Sequence, residues 1–395
     1  MKDSLIKGYN NLKRLNFTPK IKPKIHFHFV KGGFVEILGG TPSKFLVQFF
    51  NKKTEEIIYE DTLTNNMWSK VSLKYFIDYA IKVKDLNTGE EIVNYMNLKD
   101  KRVFITLDSS AIGDTLAWFP YIEEFRKKHK CQIICSTFHS SWFESEYPEI
   151  EFVKPGTVVE NLYAMYTIGW YYDEDKVNFN HHPQDFRKFP LQETATQILG
   201  MPYKEIKPKL SFKNTGPTIE GKYVVIAPHA SAHAKYWNRP NGWQEIVDYL
   251  NKEGYKVVMI TKEKLGDPWH DSKLGGTLKG VIDKTGDFPL EDRANDIMNA
   301  EFFIGVGSGL SWLSWALGTK TILISGFSEE YTEFQECERI AAPIYKCRGC
   351  FNKSKLDAGD WEWCPVNKNT PQQFECTKSI SPETVIESIE RIRKT

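Results

Sequence analysis

Between residues 24 and 95 apolar and polar positions alternate: KIHFHFVKGGFVEILG (24–39), KFLVQFFNKKTEEIIYEDTL (44–63) and KYFIDYAIKVKDLNTGEEIVNY (74–95). A period of two sends successive side chains to opposite faces of a sheet, and the Gly-Gly and Asn-Thr-Gly steps supply turns. Residues 1–98 are therefore expected to form a small β-rich module of antiparallel hairpins. It carries no recognisable chemistry, so packing or oligomer contact is its expected task.

Past residue 98 the period changes. RVFITLDSSAIGD (102–114) is a short buried-strand pattern running into a glycine loop, followed by a helix, DTLAWFPYIEEFRKKHK (114–130), and a second strand, CQIICST (131–137). This β-loop-α-β unit predicts a parallel, doubly wound sheet. The aromatic and polar stretch to residue 215 has no clear period and is taken to complete a domain over 99–215. Alternation resumes with strand KYVVIAPHA (222–230), helix GWQEIVDYLNKEG (242–254), strand YKVVMIT (255–261), helix EDRANDIMNA (291–300), strand EFFIGV (301–306), helix LSWLSWALG (310–318) and strand KTILIS (320–325). A second α/β domain over 216–336 follows from this. The fold class is α/β, with two such domains facing each other and ligands at the carboxyl ends of their strands. Residues 337–395 hold an aperiodic cysteine-rich segment and a C-terminal helix.

Composition changes this picture little. A chain of 395 residues suits two domains with an appendage, and aromatics at 14% suit cores and sugar-stacking surfaces alike. A formal net charge of +1 gives no reason to expect nucleic acid as a partner. The basic run Lys2–Lys24, with Lys7, Lys13, Arg14, Lys20 and Lys22, reads as a solvated arm. No apolar stretch has membrane-spanning length, and MKDSLIKGYNNLKRLNF lacks the apolar core of a signal peptide. The expected location is a bacterial cytoplasm, where closely spaced cysteines stay reduced and favour a metal over disulfides.

Three loops carry candidate chemistry. In Asp108-Ser-Ser-Ala-Ile-Gly113-Asp114, the glycine at a strand-to-helix turn lets backbone approach a ligand. Asp114 is either a first-turn acid or a general base that takes a proton from an acceptor hydroxyl, with Asp108 the competing base. In Pro228-His229-Ala-Ser-Ala-His233-Ala-Lys235-Tyr-Trp237, a lysine just past a strand suits an anionic phosphate, while both histidines read as polar loop residues. In Gly305-Val-Gly307-Ser308-Gly309-Leu-Ser-Trp312, small residues between strand and helix make a nest of backbone amides. No third glycine and no spaced acid complete a dinucleotide fingerprint, and there is no Walker lysine; nicotinamide and flavin cofactors and P-loop chemistry are disfavoured.

The four cysteines Cys347, Cys350, Cys364 and Cys376 are spaced C-x2-C-x13-C-x11-C. Two thiolates on a tight turn at Gly349 and two later ones close a tetrahedron, leaving no open position for catalysis. One structural metal per chain is expected, with zinc the default for four sulfurs. Cys337 lies outside the spacing, and Cys131 and Cys135 read as core.

Taken in order, the loops resemble family 9 heptosyltransferases. Gly113-Asp114-Thr115-Leu is similar to their Gly-Asp-x-Leu loop, Lys235-Tyr-Trp237 to their Lys-x-Trp loop, and the segment Gly305 to Thr321 to their Asp-Ser/Thr-Gly-x-x-His block. Gly307 stands where that block has aspartate and Trp312 where it has histidine. The N-terminal module and cysteine tail narrow the resemblance to the autotransporter heptosyltransferases, across nearly the whole chain. The resemblance implies a GT-B fold of two Rossmann-like domains, and an inverting protein O-heptosyltransferase that moves heptose from ADP-heptose to serines of an autotransporter adhesin passenger domain. It implies Asp114 as base and a donor-binding set of Gly113, Thr115, His229, Lys235, Thr261, Gly307, Ser308, Gly309 and Trp312. It further implies iron rather than zinc, and a large ring-shaped homo-oligomer with a dodecamer as candidate size. The alternatives are a heptosyl- or hexosyltransferase acting on a lipopolysaccharide or other glycan, and a non-catalytic nucleotide- or protein-binding scaffold.

Overall fold

The computed structural model of the chain describes residues 20–394. The basic run up to Arg14 and the N-terminal segment read against a signal peptide lie outside the described residues. The described residues divide into two compact units: 20–29 with 33–71 and 78–96, and 30–32, 72–77 and 97–394.

The first unit contains strands β1 (Lys24–Val30), β2 (Phe34–Leu38), β3 (Lys44–Asn51), β4 (Ile57–Thr64), β5 (Met67–Lys70), β6 (Tyr79–Asp85) and β7 (Glu91–Tyr95). Pairing is antiparallel, in the orders β1-β2-β5 and β4-β3-β6-β7. The alternation read from sequence sets the register. Val47 faces Val83 and Phe49 faces Ile81 across β3 and β6, and all four are buried.

The second unit opens with β8 (Arg102–Leu107), α1 (Ile112–Trp118), α2 (Pro120–His129), β9 (Gln132–Ser136), β10 (Ile150–Val153), β11 (Ala164–Ile168), a ribbon of β12 (Tyr172–Asp173) and β13 (Lys176–Val177), and α3 (Leu191–Leu199). The single helix expected over 114–130 is two helices meeting at Phe119. Pro120 has no amide to donate and clashes with the preceding turn, and it sits at the first position of the new helix, where neither matters. Strands β10-β9-β8-β11 are parallel in that order.

A six-stranded parallel sheet follows, built from β14 (Tyr223–Ala227), α4 (Gly242–Lys252), β15 (Lys256–Met259), α5 (Pro268–Lys273), β16 (Val281–Asp283), α6 (Leu290–Met298), β17 (Phe303–Val306), α7 (Gly309–Ala316), β18 (Thr321–Ser325) and β19 (Glu338–Ala341). Its strand order is β16-β15-β14-β17-β18-β19. Every residue of β14 and β18 is buried, as a strand covered on both faces requires. The sequence reading missed α5, β16 and β19, which are too short to show a period.

The tail adds α8 (Cys350–Lys353), α9 (Glu375–Lys378) and α10 (Pro382–Ile392). Helix α10 is strongly amphipathic, and Val385, Ile389 and Ile392 join the core of the six-stranded half with Trp243 and Leu250. Trp237 Nε1 donates to the Ile380 carbonyl at 3.0 Å, fixing the approach to that helix. Among the described residues no helix is long and apolar enough to cross a membrane.

Candidate functional site

Strand order determines where loops can diverge to admit a ligand. Numbered from its own first strand, the first half has order 3-2-1-4 and the second 3-2-1-4-5-6. In each, the crossover reverses beside the first strand, between β8 and β11 and between β14 and β17. Chain leaving those neighbours turns to opposite faces and opens a crevice at their carboxyl ends. The loops after β8 and β11 hold Asp108–Asp114 and Gly169–Tyr171; those after β14 and β17 hold His229–Lys235 and Gly307–Ser308. Three of these four are the loops the sequence reading singled out.

The loops enclose a cavity of about 600 Å³, within the range of about 300–1,000 Å³ usual for small-molecule sites. Gly113, Asp114, His229, Lys235, Thr261, Gly307, Ser308, Gly309 and Trp312 all line it. Two expected residues stand apart. Thr115 is fully buried, its hydroxyl donates back to the Ala111 carbonyl at 3.0 Å, and it does not line the cavity. Asp108 is exposed, accepts from the Tyr171 hydroxyl at 2.9 Å and does not line the cavity.

Asp114 is half-buried in the first turn of α1. Its Oδ2 accepts from Ser109 Oγ at 2.7 Å and from Trp170 Nε1 at 3.1 Å. Burial raises its pKa, against the opposing pull of those two hydrogen bonds and of the Lys235 charge. Such a carboxylate is a better proton acceptor than an exposed one. The Lys235 ammonium is pushed down by burial and held up by Asp114 and Glu333. It donates to Ser231 Oγ at 3.2 Å and lies 5.4 Å from the Phe327 ring centroid.

Helix α7 points its first turn at the cavity, so its leading amides are not used within the helix. Ser308 Oγ and His229 Nε2 are buried and have no hydrogen-bond partner among the described residues. Burial, and then His270, holds the His229 imidazole at about 4, so it is neutral near pH 7. Thr261 Oγ1 sits 3.3 Å from His229 Nδ1 and donates to the Glu263 carbonyl at 2.7 Å. A lysine, a hydroxyl and a helix N-terminus form a donor set for an anion, while His229, whose Nδ1 donates to Thr261 Oγ1, presents an acceptor Nε2 beside it.

Two departures from the family block have a local cause. Trp312 is buried edge-on against Trp315 and Phe334, and its Cδ1 lies 2.9 Å from where a Cβ on Gly113 would stand. It therefore packs against the Gly113 turn. A side chain at position 307 would meet Glu333 Oε1 at 3.2 Å, so a carboxylate already occupies that side of the cavity. Glu333, Trp170, Tyr172 and Lys355 line the cavity and were not anticipated, because none belongs to a short motif.

The four cysteines converge on one small cavity with Phe327, Trp363 and Phe374. Burial, and then the neighbouring thiols, push Cys350 and Cys376 to about 12. Gly349, at φ +69°, makes the turn between Cys347 and Cys350. The expectation of a formed four-thiolate metal site is corrected in one respect. Among the described residues, no three or more His, Cys, Asp or Glu side chains stand in an arrangement that would hold a metal.

Comparison with known proteins places this geometry. Residues 163–339 match the family described as glycosyltransferase family 9 (heptosyltransferase). The autotransporter heptosyltransferase BAHTCr of Citrobacter rodentium is 38% identical over 83% of this chain and 80% of its own length. The autotransporter heptosyltransferase TibC of Escherichia coli is 35% identical over 89% of this chain and 86% of its own. The crystal structure of TibC, described as iron-containing and dodecameric, superposes with a TM-score of 0.84 at 32% identity, covering 94% of this chain and 96% of that one. TibC has also been solved in complex with ADP-D-beta-D-heptose. Heptosyltransferase II of E. coli, at 13% identity and a TM-score of 0.50 over 73% of this chain and 98% of that one, shares the fold alone. The two crevice-forming halves are thus those of a glycosyltransferase, and the chain belongs to the autotransporter heptosyltransferases of family 9.

Proposed function

We propose that the enzyme moves heptose from ADP-heptose to serine hydroxyls of an autotransporter adhesin by a single inverting displacement. The observation that carries this reading is the meeting of a buried-wall carboxylate, Asp114, with the anion-binding set of Lys235, Ser308 and the α7 N-terminus in one cavity. Asp114 takes the serine proton as the hydroxyl oxygen bonds to the anomeric carbon. The bond from that carbon to the phosphate oxygen breaks, and ADP leaves with the electron pair. Lys235 and the α7 amides balance its growing charge. Asp108, engaged by Tyr171 outside the cavity, is the weaker candidate for the base. Incubation with ADP-heptose and an adhesin passenger, followed by intact mass, tests the reading. The expected gain is whole heptose increments on the passenger, lost in Asp114→Asn while donor binding persists. Transfer only to a glycan, or full turnover by Asp114→Asn with Asp108→Asn inactive, overturns it.

The thiol-lined cavity of Cys347, Cys350, Cys364 and Cys376 is the candidate seat of a structural metal. The description of TibC as iron-containing is what supports one iron per chain; the four thiols line one cavity but would have to turn toward a common centre to bind it. The metal would crosslink the tail through thiolates and take no part in transfer. Elemental analysis should find the metal, and Cys350→Ser should lower its content and the stability of the fold; full occupancy in that variant refutes the ligand assignment. A dodecamer, as described for TibC, is the proposed assembly, to be read by mass photometry. A cytoplasmic location fits a chain whose thiols must stay reduced.

A further inference from the structure

The hydrogen bonds at Asp114 are unevenly shared between its two oxygens. Ser109 Oγ at 2.7 Å and Trp170 Nε1 at 3.1 Å both donate to Oδ2, and among the described residues no hydrogen bond ends on Oδ1. Neither donor is free to reverse. An indole N–H can only donate. The Ser109 hydroxyl oxygen accepts the Ala111 amide at 3.1 Å, which turns its proton toward the carboxylate. Both donors sit on chain leaving adjacent parallel strands, Ser109 after β8 and Trp170 after β11. The indole is held in turn by Trp118 at 5.3 Å and Phe186 at 4.8 Å, and by Phe351 of the cysteine-rich segment at 5.7 Å and 88°.

We propose that Trp170 is a positioning residue of the transfer reaction: with Ser109 it ties down Oδ2 of Asp114, so that Oδ1 is the oxygen that takes the serine proton. This rests on the reading of Asp114 as the base. A carboxylate oxygen that already accepts two hydrogen bonds has its negative charge satisfied, and its partner keeps the more available lone pairs. The two bonds also fix the carboxylate plane, so the proton acceptor faces the cavity before substrate arrives. Trp170 never touches the proton; its contribution is the orientation and basicity of another group.

The test compares Trp170→Phe, which keeps an aromatic ring, though a smaller one, and removes the N–H, with Ser109→Ala and Asp114→Asn, by following heptosyl transfer to the passenger as a function of pH. Each of the first two variants should lower kcat by roughly ten- to a hundredfold, the loss expected for one hydrogen bond to a charged group. KM for ADP-heptose should stay within about two-fold in Ser109→Ala, whose hydroxyl does not line the cavity, and kcat of Trp170→Phe is read at saturating donor because its ring does. Because each lost donor had favoured the charged carboxylate, the acid limb of the profile should move up by about one pH unit. A purely structural role for Trp170 would lower activity and leave the limb in place. Wild-type kcat and limb in both variants, or a fall in kcat with no movement of the limb in either, overturns the proposal while an inactive Asp114→Asn preserves the base reading. An active Asp114→Asn overturns both. Ser109→Ala removes a part-buried hydroxyl, with its bond from the Ala111 amide, and leaves the packing around Trp170 intact, so it still reads the tie on Oδ2 if Trp170→Phe fails to fold.

Discussion

Gly309→Ala is the most direct probe of how the two α/β halves are set against each other. A Cβ at position 309 would stand 2.6 Å from Ile112 Cβ and 3.3 Å from the Gly113 amide nitrogen. Non-bonded carbons settle at about 3.5–4.0 Å, so the first turns of α7 and α1 must separate by roughly 1 Å. Neither contact is the end of a flexible chain: one is a β-branched carbon on a helix and the other is backbone. Overpacking of this kind costs about 1–3 kcal/mol, and each kcal/mol lowers Tm by roughly 2–4 °C in a domain of some 150–250 residues. The consequence for turnover is larger, because Asp114 lies two residues beyond Ile112 while Ser308 immediately precedes Gly309. A displacement of about 1 Å between the proposed base and the proposed phosphate site is enough for a loss on the order of 100-fold. Differential scanning fluorimetry and passenger heptosylation read by intact mass measure the two effects on one preparation. Wild-type Tm and turnover in Gly309→Ala would show that the α1–α7 contact is neither tight nor needed.

Further expectations follow from the same cavity. Lys235→Met removes the cavity lysine proposed to face the donor phosphates and should lower kcat/KM for ADP-heptose by about ten- to a hundredfold in steady-state assays; an unchanged value would remove Lys235 from the site. Gly113→Ala should lower activity, because its Cβ meets the indole of Trp312, which is held by Trp315 and Phe334; wild-type kinetics would mean the indole gives way. Burial, and then a neighbouring residue, keeps both His182 and His229 near 4 against an ordinary 6.5. The folded form therefore resists their protonation, and stability should be full above pH 6.5 and fall as pH drops toward about 4. A Tm-against-pH curve checks this, and it should flatten in His182→Gln, whose amide oxygen can still accept the Tyr171 amide that Nε2 now accepts at 3.3 Å.

What the sequence makes legible is what is local. The alternation at 44–63 and 74–95 is the register of β3, β4, β6 and β7, and Gly113-Asp114 reveals a site because a glycine and an acid share one strand-to-helix turn. Trp170 is as close to the chemistry, yet it lies in an aromatic run with no period, 56 residues from the carboxylate it bonds. Only the pairing of β11 with β8 brings the two together, and strand order is not written in any short segment. Glu333 and Lys355 come from aperiodic chain for the same reason. Cysteine spacing located the thiol cavity but could not fix the orientation of four side chains. The break at Phe119 was within reach: Pro120 is visible in the sequence, and the helix was read through it.

The course of the last helix has a consequence for synthesis. Ile380, Val385, Ile389 and Ile392 complete a core whose other walls are β14, β15, β17, β18 and α4. The sheet that presents Lys235 and the α7 amides is therefore unfinished on the ribosome until residue 392 has left the exit tunnel. A nascent chain arrested before α10 would show Trp237 and Trp243 to chaperones.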